Sequence, residues 1–155
     1  MDAERLAELL DRHAPALALY AAQWSAAADD IVQEAFIRLI AQRIAPEPPL
    51  PWLYAVVRNL AISEQRSTFR RERREQVAAR LRSRSDDHES TIELADALEQ
   101  LDPEIREIIV ARLWGELTFD DIAVLVGLSS STAHRRYQEG LATLRRLLEQ
   151  PCNTK

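Results

Sequence analysis

Ser130, Ser131 and Thr132 run directly into His134, Arg135 and Arg136, and Gln138 follows two residues on. Hydroxyls, guanidinium groups and a carboxamide are the groups that contact phosphate oxygens and base edges of nucleic acid. A second basic cluster lies upstream, between Arg66 and Arg84, and an acidic pair, Asp29-Asp30, lies further upstream still. None of these sets is catalytic. The three histidines, at 13, 88 and 134, are scattered, and no nucleophile sits beside a base. No Cys/His spacing suits a metal, so neither metal nor cofactor is expected, and the chain does not read as an enzyme.

The net charge of −5 argues against a protein basic all over, but the charge is unevenly spread. Residues 1–50 hold four arginines against eight acids; residues 51–90 hold nine against six; residues 91–155 hold seven basic residues against eleven acids. Local basic patches on an acidic chain suit contact with nucleic acid at chosen points and with a protein elsewhere. Charge alone is equally well satisfied by two solvated helix faces.

These residues need elements to position them. The 155 residues suffice for one ordinary domain or two small ones, and with only three glycines the composition favours helix. The N-terminus mixes acids and arginines, unlike a signal peptide, and no apolar run of about 18 residues suggests membrane insertion. The single cysteine, Cys152, has no internal disulfide partner. A soluble, cytoplasmic protein is expected.

Apolar periodicity predicts a helix over about 3–26 and a second over about 28–44, whose broad face carries Ile31, Val32, Ala35, Phe36, Leu39 and Ile40. Asp29 and Asp30 suit that helix's N-terminus. RIAPEPPLPW reads as a loop. A third helix is predicted from Pro51, carrying Leu53, Val56, Val57 and Leu60 and running on into the arginine-rich stretch. Residues 83–91, polar through SRSDDHES, read as a short linker. The expected fold is therefore all-α: two small helical domains, 1–82 and 92–155, the second a helix-turn-helix.

In that second unit Asp102-Pro103 starts a helix of about 103–114, which Gly115 ends. Thr118 and Asp121 form a capping-box variant, Gly127 supplies a turn's positive backbone angle, and Ser129 or Ser130 caps the last helix. Ala133, Tyr137, Leu141, Leu144 and Leu148 face the packed side, while Ser130, Ser131, His134, Arg135 and Gln138 fall outward in the first turns. Glu139 is placed to pair with Arg135, and a plain helical hairpin would share much of this pattern.

Taken together, several stretches resemble one family. ADDIVQEAFIRLI (28–40), PWLYAVVRNLAI (51–62) and the segment 97–148 are similar, in order and spacing, to regions 2.2, 2.3/2.4 and 4 of RNA polymerase sigma factors of the extracytoplasmic-function (ECF) type. The resemblance spans about 140 residues and implies a promoter-specificity subunit with regions 2 and 4 only. It implies docking on a coiled coil of the largest subunit of core RNA polymerase through Asp29, Asp30, Gln33, Glu34 and Ile37. It implies −10 contacts by Arg58 and Asn59, extended by Arg66, Arg70, Arg71, Arg73 and Arg74 on phosphates. Recognition of −35 duplex DNA would fall to Ser130, Ser131, Thr132, His134, Arg135, Arg136 and Gln138. An anti-sigma factor is a further implied partner.

Trp52 matches the family tryptophan but, starting an amphipathic helix, reads as core. Two departures stand out: the proline-rich PEPPLP before Trp52, and Glu139-Gly140 where the family usually has a basic residue and alanine. They keep two other readings open, a stand-alone helix-turn-helix regulator and a degenerate sigma paralogue acting through protein contacts. Gly140 itself reads as a close-packing site.

Overall fold

The computed structural model describes residues 1–65, 70–82 and 88–150, and among them it contains eight α-helices and no strand. The first starts at Asp2, whose carboxylate accepts the Arg5 N–H at 2.8 Å and so satisfies one of the free donors of a helix start. Helix α1 (Ala3–Ala21) changes character along its length: Leu6 and Leu9 are half-buried, whereas Ala16 to Ala21 are all buried. A helix end that is apolar all round belongs inside a core. Accordingly α1 is the hub, touching α2 (Ala28–Ile40), α3 (Pro49–Ser63), α4 (Arg70–Arg82) and α6 (Pro103–Leu113).

Helix α2 buries Ile31, Val32, Ala35, Phe36 and Leu39. Ile40, expected on that face, is 63% exposed. One further residue is 100° of turn, which carries its side chain from the packed side to the outer side. Helix α3 begins at Pro49, two residues before the predicted start. Pro49 and Pro51 both fit in the first turn, where backbone N–H groups have no intrahelical acceptor to lose.

Helix α3 does not run on into the arginine-rich stretch. Its buried positions, Leu53, Tyr54, Val57 and Ala61, stop there, and Ile62 to Gln65 are exposed. Helix α4 is a separate element that buries Ala78 and Leu81 and packs on α1 and on α5 (His88–Gln100). Residues 88–91, read as linker from sequence, are the first turn of α5.

The second half follows its capping signals closely. The Asp102 carboxylate accepts the Glu104 N–H at 3.1 Å, and Pro103 is the first residue of α6. Thr118 and Asp121 form a reciprocal capping box at the start of α7 (Phe119–Val126), and Gly127 follows with φ 73°. Ser129 caps α8 (Ser130–Glu149), accepting the Thr132 N–H. Gly115 differs from expectation. The left-handed residue after α6 is Glu116, at φ 58°. Gly115 has a packing reason instead: a Cβ there would stand 2.6 Å from the Tyr54 hydroxyl oxygen.

Helix α8 lies on α5, α6 and α7, with Ala133, Gly140 and Leu144 buried. Leu148, expected on the packed side, is 45% exposed in the last turn, where Leu147 still packs on the core. The two helical halves pack on each other. α4 touches α5, α1 touches α6 and α3 touches α7, and one hydrophobic cluster runs from Leu17 through Tyr54 to Leu144.

Candidate nucleic-acid interface

The outer face of α8 is built by what its inner face must do. Ser129 Oγ accepts the Thr132 N–H at 3.2 Å and donates to Thr132 Oγ1 at 2.8 Å, so Thr132 serves the cap. Ser130 donates to the Asp120 carboxylate at 2.6 Å and ties α8 to α7. Arg136 turns toward α6 and pairs with Glu104 at 3.4 Å. Gly140 lets α6 approach, since a Cβ would come within 2.6 Å of Ile105 Cγ2 and 2.9 Å of Ile109 Cγ1.

Phe119 organises the rest. The Arg112 guanidinium lies 4.7 Å from its ring centre and donates to the Leu117 carbonyl. The other ring contacts are edge-on, to His134 at 4.9 Å and to Tyr137 at 5.3 Å between ring centres. Edge-to-face geometry suits the charge distribution of aromatic rings and fixes their mutual angle. Ser131, His134, Arg135 and Gln138 remain exposed. At i, i+3, i+4 and i+7 they form one stripe down the first two turns. Glu139, also exposed, lies beside that stripe.

On the other half, Asn59 is exposed on α3, and its carbonyl accepts from Ser63 Oγ. Arg58 is not simply presented to solvent. Its Nε donates to Glu107 Oε1 of α6 at 2.5 Å, with the Arg58 side chain 28% exposed and that of Glu107 6%. The Tyr20 hydroxyl donates to the same oxygen at 2.6 Å. The Glu107 hydrogen bond holds Arg58 still more firmly charged, while burial, then Glu107's charge, raises the Tyr20 pKa well above its usual value. Arg74 on α4 is exposed and reaches Asp96 of α5 at 3.7 Å. Arg66 and the side chains of Arg70, Arg71 and Arg73 lie outside the described residues.

The acidic helix presents a third face. Asp30, Gln33, Glu34 and Ile37 share one stripe of α2 opposite its buried side. Glu34 pairs with Arg38 one turn on, at 2.8 Å, and Asp29 is held by Arg80 of α4 at 2.9 Å. Ile37, Ile40 and Ile44 are 59%, 63% and 87% exposed, leaving an apolar patch beside the acids. Ile44, in the loop after α2, escaped the sequence reading, and Ile40 had been placed on the packed face, although it lies three residues from Ile37. Glu107 and Phe119 escaped it too. The signal for Glu107 was an acid directly before the apolar run Ile108–Val110 and one helical turn from Val110 and Ala111, because buried glutamates are rare unless paired.

Comparison with known proteins accounts for both halves. The Sigma-70 region 2 family profile matches residues 9–75, and the Sigma-70 region 4 profile matches residues 91–144. RNA polymerase sigma factor CarQ of Myxococcus xanthus is 32% identical over 152 residues, covering 91% of this chain and 87% of that protein. ECF RNA polymerase sigma factor SigL of Mycobacterium tuberculosis is 29% identical over 165 residues, covering 96% and 92%. The fold is shared with sigma factor RpoE in complex with the anti-sigma factor NepR, from Bartonella quintana, at TM-score 0.64 and 20% identity, covering 94% of this chain and 98% of that one. It is shared equally with CnrH in complex with the cytosolic domain of CnrY, at TM-score 0.64 and 25% identity, covering 96% and 90%. No described helix is long and apolar enough to cross a membrane. Matched in both halves and over most of its length, the chain belongs to the sigma-70 family: it is an ECF-type RNA polymerase sigma factor, a subunit that directs transcription initiation to promoters.

Proposed function

We propose a division of that task among three faces of the molecule. The outer stripe of α2, Asp30, Gln33, Glu34 and Ile37, docks on the coiled coil of the polymerase largest subunit, with Ile40 and Ile44 widening its apolar part. The α3–α4 side, led by Asn59 with Arg58 and the arginines of α4, meets the −10 element. The exposed stripe of α8, Ser131, His134, Arg135 and Gln138, reads the −35 element in the major groove. That last stripe is the observation that carries the reading: four polar side chains at helical spacing leave a capped helix N-terminus, with the opposite face locked on α6 and α7. Ser130, Thr132 and Arg136 act within the domain, and Arg136 reaches phosphate only by leaving Glu104.

An anti-sigma factor is proposed as a second protein partner. Two proteins of the same fold are complexed with such partners, the anti-sigma factor NepR and the cytosolic domain of CnrY. The exposed isoleucines of α2 and its following loop supply an apolar patch for a competitor of polymerase.

Transcription by core polymerase plus the purified chain, over a promoter library, tests the assignment. Start-site-specific transcripts are expected, and Asp30→Arg is expected to abolish core binding with helix content unchanged. Normal transcription by Asp30→Arg would remove α2 from the docking surface. A promoter footprint without core polymerase would favour a stand-alone regulator, and core binding without transcripts a degenerate paralogue.

A further inference from the structure

Glu139 is an acid beside the stripe proposed to meet DNA, and its carboxylate has no internal task. Other acids of α6 and α7 are engaged within the domain. Asp120 accepts from Ser130 at 2.6 Å, Asp121 accepts from Thr118 at 2.7 Å, and Glu104 pairs with Arg136 at 3.4 Å. Of Glu139 only the backbone is used, its carbonyl accepting from Thr143 Oγ1 at 3.0 Å. Among the described residues no ion pair joins the Glu139 carboxylate to Arg135, one turn back, although the spacing allows it. The same spacing does pair in α2, where Glu34 precedes Arg38 and the two meet at 2.8 Å. Order explains the difference. With the acid first the pair agrees with the helix dipole; with Arg135 first it opposes it.

Position gives the open carboxylate a consequence. Four residues of helix place Glu139 about 40° around the axis from Arg135 and about 6 Å further along it. Base pairs are stacked about 3.4 Å apart, so the two side chains reach different base pairs. A phosphate repels a carboxylate, so Glu139 gains nothing from the DNA backbone. In the major groove its complement is an amino donor. Cytosine N4 supplies one, whereas guanine offers only the N7 and O6 acceptors, which a carboxylate cannot bond. Adenine sets its N7 acceptor beside its amino group, a pattern that a carboxamide matches and a carboxylate does not. An acid in the groove therefore favours one base and penalises the others.

We infer that Glu139 is a further specificity-determining residue of the −35 reader, accepting from the N4 amino group of a cytosine at a base pair beyond the one that Arg135 meets. The inference rests on the proposed reading of the −35 element by α8.

Transcription by core polymerase with the full-length chain, from promoters varied at each −35 base, tests it. In the parent, one −35 position is expected to favour cytosine. Glu139→Ala should lower that preference roughly five- to a hundredfold and leave the other positions unchanged. Glu139→Gln, of the same shape, should move the preference at that position from cytosine to adenine, since a carboxamide donates to N7 and accepts from N6. Helix content should match the parent in both variants, because the side chain is exposed. A parent with no cytosine position, or base preferences unchanged in both variants, overturns the inference. Transcription strengthened equally from every promoter overturns it too, and makes Glu139 a brake on phosphate binding instead. A chain with Ser131, His134, Arg135 and Gln138 all replaced by alanine separates this failure from that of the α8 reading. If that chain keeps the parent's −35 preference, α8 is not the reader and the inference falls with it. If that chain loses preference or transcription while both Glu139 variants match the parent, the inference alone falls.

Discussion

Arg135 carries the sharpest prediction at the scale of single residues. It is exposed in the middle of the α8 stripe, one turn from Glu139. Its guanidinium fork can grip a guanine edge at two points, which discriminates bases by about 1–3 kcal/mol. Arg135→Ala should therefore flatten preference at one −35 position by roughly ten- to a hundredfold, read by transcription from promoters varied at each base. Arg135→Lys separates the two roles: a lysine keeps a phosphate contact but loses the fork. Preference retained in both variants would assign Arg135 to the backbone. Tyr20 makes a prediction about pH. Burial first, and then the Glu107 carboxylate, holds its pKa above the usual 10.0. An unfolded tyrosine gives up its proton near 10, while Tyr20 in the folded chain keeps it. The contribution of Tyr20 to stability is thus complete below pH about 10 and is lost as pH rises further. Phenolate absorbance in rising base should show a late component that Tyr20→Phe diminishes; identical titrations of the two chains would exclude it.

Elements fail or succeed by their ends and their contact points. The starts of α6, α7 and α8 were legible in sequence because a cap is local: Asp102 with Pro103, Thr118 with Asp121, and Ser129 each satisfy donors a few residues away. The end of α3, the exposure of Ile40 and Leu148, and the left-handed Glu116 were not legible. Each depends on where a neighbouring helix stops, which no local pattern encodes. Gly140 lies between these cases. Its place in a helix hinted at close packing, and Ile105 with Ile109 supply the reason. Gly140→Ala should gain about 1 kcal/mol in helix propensity but lose about 1–3 to overpacking against two branched side chains. Urea unfolding is expected to show a net loss of up to about 2 kcal/mol. A more stable variant would mean that α6 and α8 can separate freely, and that the close approach serves no packing purpose.

At the scale of the whole molecule, the sequence motifs marked the stretches proposed to face DNA but not the bond between them. Arg58 and Glu107 are 49 residues apart, and Tyr20 and Glu107 are 87 apart. None of the three residues has a periodicity or a cap that names its partner. A buried Glu107 is costly unless both donors meet it, so the arrangement of the halves and the satisfaction of that carboxylate stand or fall together. Because a single apolar cluster joins the halves as well, they should unfold as one unit. Tryptophans report each half separately: Trp24 is buried and Trp52 half-buried in the first, and Trp114 is half-buried in the second. Chains keeping only Trp52, or only Trp114, should give coincident denaturant midpoints. In Glu107→Ala the Tyr20 hydroxyl and Arg58 lose their shared acceptor, and the cross-half contact keeps its apolar packing with the exposed pairs Arg12–Glu116 and Arg74–Asp96. The two tryptophans should then report different midpoints, with a shallower slope for each, since each transition exposes less surface. Coincident midpoints at a lower denaturant concentration would show that the apolar cluster alone couples the halves, with Glu107 adding stability but not the coupling.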